Sequence, residues 1–189
     1  MSQMYNEEKE VIPVTLIQVG PCQVTQLKSE GNDNYQAVQI GYEKITKENK
    51  KKKTMKGKEF KYLKEFRPES IQDIKVGDEI NISVFEEGES VKISGMSKGK
   101  GFQGGVKRHG FHGRDATHGV KHEQRTIGSV GCRYPQRVIK GRRMPGRMGY
   151  DRVTVSNLKI IKIDKENNIM AVRGAVPGRR GTLLEIKTY

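Results

Sequence analysis

The stretch VIPVTLIQVGPCQVTQLK, residues 11–28, predicts two short β-strands joined by a turn. Residues 11–19 and 22–28 are short runs that contain valine, isoleucine or threonine, which are enriched in strands. Gly20-Pro21 lies between them and is a turn signal. A third strand is predicted over residues 35–41, after the turn-forming residues 30–34. The chain therefore begins with the strand–turn–strand pattern of an antiparallel sheet.

Similar strands are predicted further along the chain. In the stretch INISVF, residues 80–85, apolar and polar residues alternate up to Val84, which predicts a half-buried strand. Residues 90–96 complete a hairpin with it across a Glu-Glu-Gly turn. About eight short strands at close spacing indicate a closed barrel or a sandwich, so we predict a mainly β fold. The other predicted strands are residues 153–163, 169–173 and 182–187. Residues 62–66 are either a strand or one helical turn, and we favour a strand.

One segment between these strands differs from the rest of the chain. Residues 97–152, called the basic segment from here on, hold fourteen Lys and Arg against three acidic residues, a net charge of +11 out of +14 for the chain. They also hold twelve of the 22 glycines and all four histidines. They show no apolar period and cannot build a core. We expect a β domain of residues 1–96 and 153–189, interrupted by a segment that is mobile when free and ordered against a polyanion.

Length and composition exclude several classes of protein. The 189 residues suit one domain, or one domain with an extension. Mean hydropathy is −0.74, and no apolar run approaches the roughly 18–20 residues of a membrane helix. The first residues do not resemble a signal peptide, and two cysteines are too few for a disulfide scaffold. The charge predicts an anionic partner, with nucleic acid ahead of a membrane surface, because no amphipathic basic helix is apparent.

A second basic insert spans residues 43–69. It contains eleven Lys and Arg against five Glu, including the run from Lys50 to Lys53. Two interpretations stay open: a solvated, disordered loop, or an additional contact with phosphates.

Three patterns suggest chemistry that the rest of the sequence does not support. Residues 99–104 match GxGxxG, but the glycine-rich residues 105–113 should not form the helix that a dinucleotide site needs. The four histidines lack the ordered neighbours of a zinc site. No carboxylate is placed to orient a histidine for nucleophilic catalysis or RNA cleavage. We therefore expect no catalytic residues, no metal and no cofactor.

The basic segment supplies the residue types that bind RNA. Lys and Arg neutralise phosphates, Arg also binds them bidentately, and aromatic and histidine side chains stack on bases. The predicted RNA contacts are Lys98, Lys100, Phe102, Lys107, Arg108, His109, Phe111, His112, Arg114, His118, His122, Arg125, Arg133, Tyr134, Arg137, Lys140, Arg142, Arg143, Arg147 and Arg152.

A series of short motifs, in order along almost the whole chain, resembles one known family. Any one of them is common, but their order and spacing together are specific. The chain is similar to the large-subunit ribosomal protein L-three family, in its shorter bacterial form. The motifs are VIPVT (11–15), GPCQVT (20–25), EFR (65–67), VGD (76–78), GMSKGKGFQG (95–104), VKRHGF (106–111), ATHG (116–119), GSVG (128–131), KGRRMPGRMG (140–149), RVTV (152–155) and GAVPG (174–178).

The resemblance implies a fold and a function. It implies a translation-protein-type closed β-barrel, with an irregular extension inserted between barrel strands. The extension reaches into ribosomal RNA (rRNA) toward the peptidyl transferase centre, with its tip at residues 128–140 and its stems at residues 97–114 and 142–147. It further implies binding near the 3′ end of large-subunit rRNA, a role in early assembly and a cytoplasmic location in the ribosome. The implied partners are rRNA and neighbouring large-subunit proteins, with no membrane and no small-molecule substrate.

A second class of function has the same electrostatics. A free-standing RNA chaperone or RNA-binding regulator would also carry a basic segment, but it would bind RNAs without a fixed site. Preference among RNAs distinguishes the two interpretations.

The chain departs from the family pattern in three places. Relatives begin with a longer opening that includes a Gly-Lys-Lys stretch, whereas Met1-Ser2-Gln3 matches the middle of it. Either the start was assigned late, or the barrel lacks part of its first strand and has an unpaired edge. The tip is one residue short at Cys132-Arg133, and the Gln that some relatives methylate there has no counterpart. Residues 43–58 match poorly.

Overall fold

The computed structural model describes residues 1–5, 9–46, 53–55, 57–68 and 74–188. The described chain is mainly β, as predicted, with two helices of one turn or little more, α1 (Glu30–Asp33) and α2 (Gly105–His109). The strands are β1 (Ser2–Tyr5), β2 (Val11–Gln18), β3 (Cys22–Lys28), β4 (Ala37–Lys44), β5 (Phe60–Phe66), β6 (Glu79–Ile80), β7 (Ser90–Met96), β8 (Phe102–Gln103), β9 (Gly146–Arg147), β10 (Arg152–Asp164), β11 (Ile169–Arg173) and β12 (Leu184–Thr188).

The strands form two larger sheets and one short ribbon. The first sheet has the order β1-β2-β11-β10-β7-β12, the second the order β5-β4-β3-β6, and β8 pairs with β9. Within the described residues no sheet closes on itself, so the predicted closed barrel is not found. Short β1 lies at the edge of the first sheet and pairs with β2 alone, with Ser2 opposite Val14.

The chain divides into two compact units. Unit 1 comprises residues 1–92, 156–175 and 187–189, and unit 2 comprises residues 93–155 and 176–186. Among the described residues, thirteen hydrophobic side chains are buried; twelve belong to unit 1, and the other is Ile93 in unit 2. None of the thirteen lies in the basic segment.

Strand burial in unit 1 follows from the pairing register. Met170 of β11 lies opposite Ile17 of β2, and Ile160 of β10 lies opposite Val172 of β11. All four side chains are buried, with exposed fractions of 8% or less. Burial of such side chains contributes about 1.5–3 kcal/mol each, which explains why these β-branched and apolar runs form strands. The predicted strands here, residues 11–19, 153–163 and 169–173, are confirmed to within one residue at each end.

The predicted strand over residues 80–85 is wrong. β6 ends at Ile80 and pairs with β3, and a 3-10 helix (Ile82–Val84) follows it. The alternating pattern predicts that Ile82 and Val84 are buried on the same face of a strand. Instead, Ile82 is 3% exposed and Val84 is 61% exposed. The predicted hairpin with residues 90–96 is also wrong, since β7 lies between β10 and β12.

The second insert contributes one strand. β5 pairs with β4 and confirms the strand predicted over residues 62–66. Gly41 on β4 makes room for Phe60, since a Cβ on that glycine would lie 2.5 Å from the Phe60 ring. The predicted loop around Lys50 to Lys53 lies largely outside the described residues, because residues 47–52 are not among them.

Candidate nucleic-acid interface

The two ends of the basic segment form an antiparallel ribbon. The Ser97 amide donates to the Asp151 carbonyl oxygen at 2.9 Å, and the Lys100 amide donates to the Met148 carbonyl at 2.9 Å. The Met148 amide donates back to Gly101 at 2.9 Å, and β8 pairs with β9 beyond this point. The ribbon therefore starts directly after β7 and returns directly into β10.

One glycine sets how closely the two ribbon strands approach. Gly149 has φ +75°, a conformation that side chains rarely adopt. A Cβ at this position would lie 2.2 Å from the carbonyl oxygen of Lys98 on the opposite strand. Only glycine fits this crossing without displacing the backbone.

A short helix follows the ribbon. Residues 105–109 form α2, which ends at Gly110 with φ +72°. The expectation that no helix forms after the GxGxxG match is therefore wrong. Its lysine, arginine and histidine lie in the last turn, where positive charge is favourable.

Two predicted RNA contacts bind the protein's own backbone. Arg108 Nη1 donates to the Met144 carbonyl oxygen at 2.7 Å, and His109 Nε2 lies 3.1 Å from the same oxygen. Both side chains are half-buried. Gly146 leaves room for this arrangement, since a Cβ there would lie 2.7 Å from Arg108 Nη1. Arg108 and His109 thus tie residues far apart in sequence together within the basic segment.

Three further arginines on the predicted list have partners within unit 2. Arg114 forms an ion pair with Glu123 at 2.6 Å, and its amide donates to the Gln124 carbonyl at 2.9 Å. Arg142 Nη2 donates to the Ser129 carbonyl at 2.9 Å. Arg152 donates two hydrogen bonds to the Glu185 carboxylate, at 3.0 and 2.5 Å. The guanidinium groups of Arg114 and Arg152 are therefore partly neutralised.

Most predicted contacts nevertheless face outward. Of the twenty, seventeen are exposed, and only Arg108, His109 and Phe111 are half-buried. Phe102 is 77% exposed and Tyr134 is 71% exposed, so both rings are accessible from solvent. Exposed cations interleaved with exposed rings suit phosphates and unpaired bases. Most of the predicted contacts are thus accessible; whether each touches RNA stays a prediction.

Sequence analysis missed three exposed residues of unit 2. Tyr150 is 59% exposed and lies under the Arg147 guanidinium, 5.0 Å from the ring centroid. Arg179 and Arg180 are exposed on a turn beyond the basic segment. The run Gly-Arg-Arg-Gly at residues 178–181 could have indicated these two arginines. Counting charges over long segments does not single out a pair of residues.

Neither a cluster of metal ligands nor a membrane-spanning helix is found in the described residues. In that part of the chain, no three His, Cys, Asp or Glu side chains are grouped so that they could hold a metal ion. No helix there is long and apolar enough to cross a membrane.

Exposed basic and aromatic side chains on a ribbon between β-sheets are typical of proteins that bind nucleic acid. Residues 65–171 match the family model described as Ribosomal protein L3. The chain is 47% identical, over 99% of its length and 92% of the relative, to the large ribosomal subunit protein uL3 of Carboxydothermus hydrogenoformans. The corresponding protein of Thermosipho africanus is 47% identical over 100% of this chain and 93% of its own. That of Desulforudis audaxviator is 45% identical over 100% and 91%. The chain belongs to the ribosomal protein L3 family.

This membership confirms two predictions. The resemblance stated from the motifs is correct. The family is a structural, non-enzymatic component of the ribosome, so the expectation that the chain is not an enzyme is also confirmed.

Proposed function

We propose that this protein is a structural component of the large ribosomal subunit and binds large-subunit rRNA near its 3′ end through the basic segment. The observation that carries the proposal is the exposure of seventeen of the twenty predicted contacts in a segment with a net charge of +11. The uL3 proteins that the chain resembles over nearly its whole length support the ribosomal setting.

The binding mechanism is electrostatic with local stacking. Each exposed Lys or Arg that meets a phosphate releases condensed counterions, which gives affinity and salt dependence. Exposed Phe102 and Tyr134 supply rings for bases. Arg108 and His109 act differently: they hold the Met144 backbone and so position the cations around them.

The basic segment, residues 97–152, acts in this proposal as an extension from a domain of residues 1–96 and 153–189. Residues 128–140 form its tip, which supports the peptidyl transferase centre by holding RNA, with bond formation left to the RNA. Exposed side chains throughout residues 128–140 support this role. We further propose that the protein acts early in assembly and contacts neighbouring large-subunit proteins. Its proposed location is the cytoplasm, in the ribosome.

The test is binding to the 3′ domain of large-subunit rRNA, compared with an unrelated structured RNA of equal length, across a salt series. Non-specific phosphate binding fades steeply as salt rises, whereas specific contacts keep a preference. We expect the ratio of the two affinities to increase with salt. A matched variant, Phe102→Ala with Tyr134→Ala, keeps every charge and should reduce the preference while leaving the salt slope unchanged.

Equal, steeply salt-dependent binding to both RNAs would contradict the proposal. That result would favour the alternative of a free-standing RNA chaperone or regulator, which needs charge but no fixed site.

A further inference from the structure

Hydrogen bonds and one close contact fix the conformation of the turn between residues 177 and 182. The Arg179 amide donates to Thr182 Oγ1 at 3.0 Å, and the Thr182 amide donates back to the Arg179 carbonyl at 3.1 Å. Gly178 has φ +100°, and a Cβ there would lie 2.7 Å from Thr182 Oγ1. Backbone and hydroxyl contacts thus fix the turn, and its two arginine side chains take no part in it.

The same turn packs against the residues that immediately precede the basic segment. A Cβ on Gly178 would lie 2.8 Å from the carbonyl oxygen of Met96, the residue immediately before the basic segment. A Cβ on Gly95 would lie 2.7 Å from Leu184 and 3.5 Å from the Pro177 carbonyl. Both glycines allow close approach, so the turn lies beside the first residues of the ribbon.

The arginines near this turn differ in whether an acidic side chain pairs with them. Arg152, at the other end of the basic segment, is held by the Glu185 carboxylate. Arg179 and Arg180 are exposed, and within the described part of the chain neither guanidinium lies in an ion pair. Two uncompensated cations therefore stand on a fixed turn at the root of a basic ribbon.

We propose that Arg179 and Arg180 form a separate phosphate-binding site at the root of the basic segment, which clamps the backbone of the same rRNA that the segment enters. This inference rests on the proposed function and adds a contact outside residues 97–152. Arginine suits the role because its planar fork binds phosphate bidentately and its charge is permanent.

The test compares two double variants of the full chain for binding to the 3′ domain of large-subunit rRNA across a salt series. Arg179→Gln with Arg180→Gln removes the proposed site without touching the contacts that hold the turn. Lys159→Gln with Lys162→Gln removes the same charge from exposed positions of unit 1. Each phosphate contact contributes about 0.7–0.9 to the slope of log affinity against log salt. We expect the slope to fall by about 1.5 for the arginine pair, and by much less for the lysine pair.

Hydroxyl-radical footprinting of the same complexes gives a second readout. The arginine variant should lose protection of a short patch of rRNA while keeping the protections due to the basic segment. Equal slopes and equal footprints for the two double variants would overturn the site but leave the proposed function intact. If the unaltered protein shows no preference for the rRNA over an unrelated RNA, the proposed function itself fails.

Discussion

The β-sheets of unit 1 and the basic segment of unit 2 are held in shape by different forces. Twelve buried hydrophobic side chains lie in the described part of unit 1, and none lies in residues 97–152. The basic segment depends instead on ribbon hydrogen bonds, on glycines at close crossings and on arginines that bind backbone carbonyls. We therefore expect that mutations can change stability and RNA binding separately in this chain.

The largest expected effect on stability comes from truncating a buried strand residue. Ile160→Ala should lower the free energy of unfolding by about 2–5 kcal/mol, because Ile160 is 1% exposed and its removal leaves a cavity. Val138→Ala in the basic segment, where the side chain is 46% exposed, should change it by no more than about 0.5 kcal/mol. Urea unfolding of both variants measures the contrast, and a similar loss for the two would remove the distinction between the regions.

The next effect should appear in RNA binding. Gly149→Ala places a Cβ 2.2 Å from the Lys98 carbonyl, so the ribbon must open at that point. Affinity for the rRNA domain should fall by roughly tenfold, or about 1.4 kcal/mol.

Gly141→Ala is the matched control for this substitution. Gly141 also has positive φ, +83°, but a Cβ added there would have no described atom within 4 Å. Both alanines carry the left-handed backbone strain of about 1–2 kcal/mol, and only Gly149→Ala adds the clash. Equal affinities for the two variants would show that the ribbon spacing does not matter for binding.

Sequence patterns predicted the strands well where burial depends on local period. β3 and β11 match the predicted residues 22–28 and 169–173 at both ends. The strand predicted over residues 80–85 is wrong because residues 82–84 form a 3-10 helix, in which Ile82 is buried. A short alternating run does not reveal the period of such a helix. The predicted closed barrel is not found among the described residues, and strand number alone does not determine whether the edge strands pair.

Sequence patterns marked the candidate interface as a segment but did not predict the partners of its side chains. Charge and glycine content marked residues 97–152 without any contact information. The partners of Arg108, Arg142 and Arg152 are 36, 13 and 33 residues away, two of them backbone carbonyls, and no residue pattern encodes such pairs. Arg179 and Arg180 were missed because a turn brings them to the root of a segment that is far away in sequence.

Removing charge from the basic segment should have a smaller effect than opening the ribbon. Arg142→Gln with Arg143→Gln removes two exposed cations, one of them fixed by the Ser129 carbonyl at 2.9 Å. The salt slope for rRNA binding should fall by about 1.5, and large-subunit assembly should weaken. Lys51→Gln with Lys52→Gln, at positions outside the described residues, should weaken assembly less. Equal sedimentation profiles of particles assembled with each double variant would contradict this ranking.

The smallest expected effect is an acid-dependent loss of stability confined to unit 1. The Tyr35 hydroxyl donates to the Glu65 carboxylate at 2.9 Å, and Lys28 Nζ lies 3.2 Å from it. The Tyr35 hydrogen bond and then Lys28 lower the pKa of Glu65. The resulting stability is fully present above the unfolded-state pKa of about 4.3 and is lost as pH falls through the lower folded-state pKa.

Glu65→Gln should therefore flatten the fall of the melting temperature between about pH 6 and pH 3, since the amide cannot be protonated in this range. Glu166→Gln, at an exposed carboxylate, is the control and should follow the unaltered protein. Glu65 belongs to unit 1, so this part of the pH effect should track the β-sheets. A Glu65→Gln variant that loses as much melting temperature as the unaltered chain would assign the acid sensitivity to other carboxylates, such as Asp164, whose pKa is lowered mainly by a hydrogen bond from the Asn167 side chain.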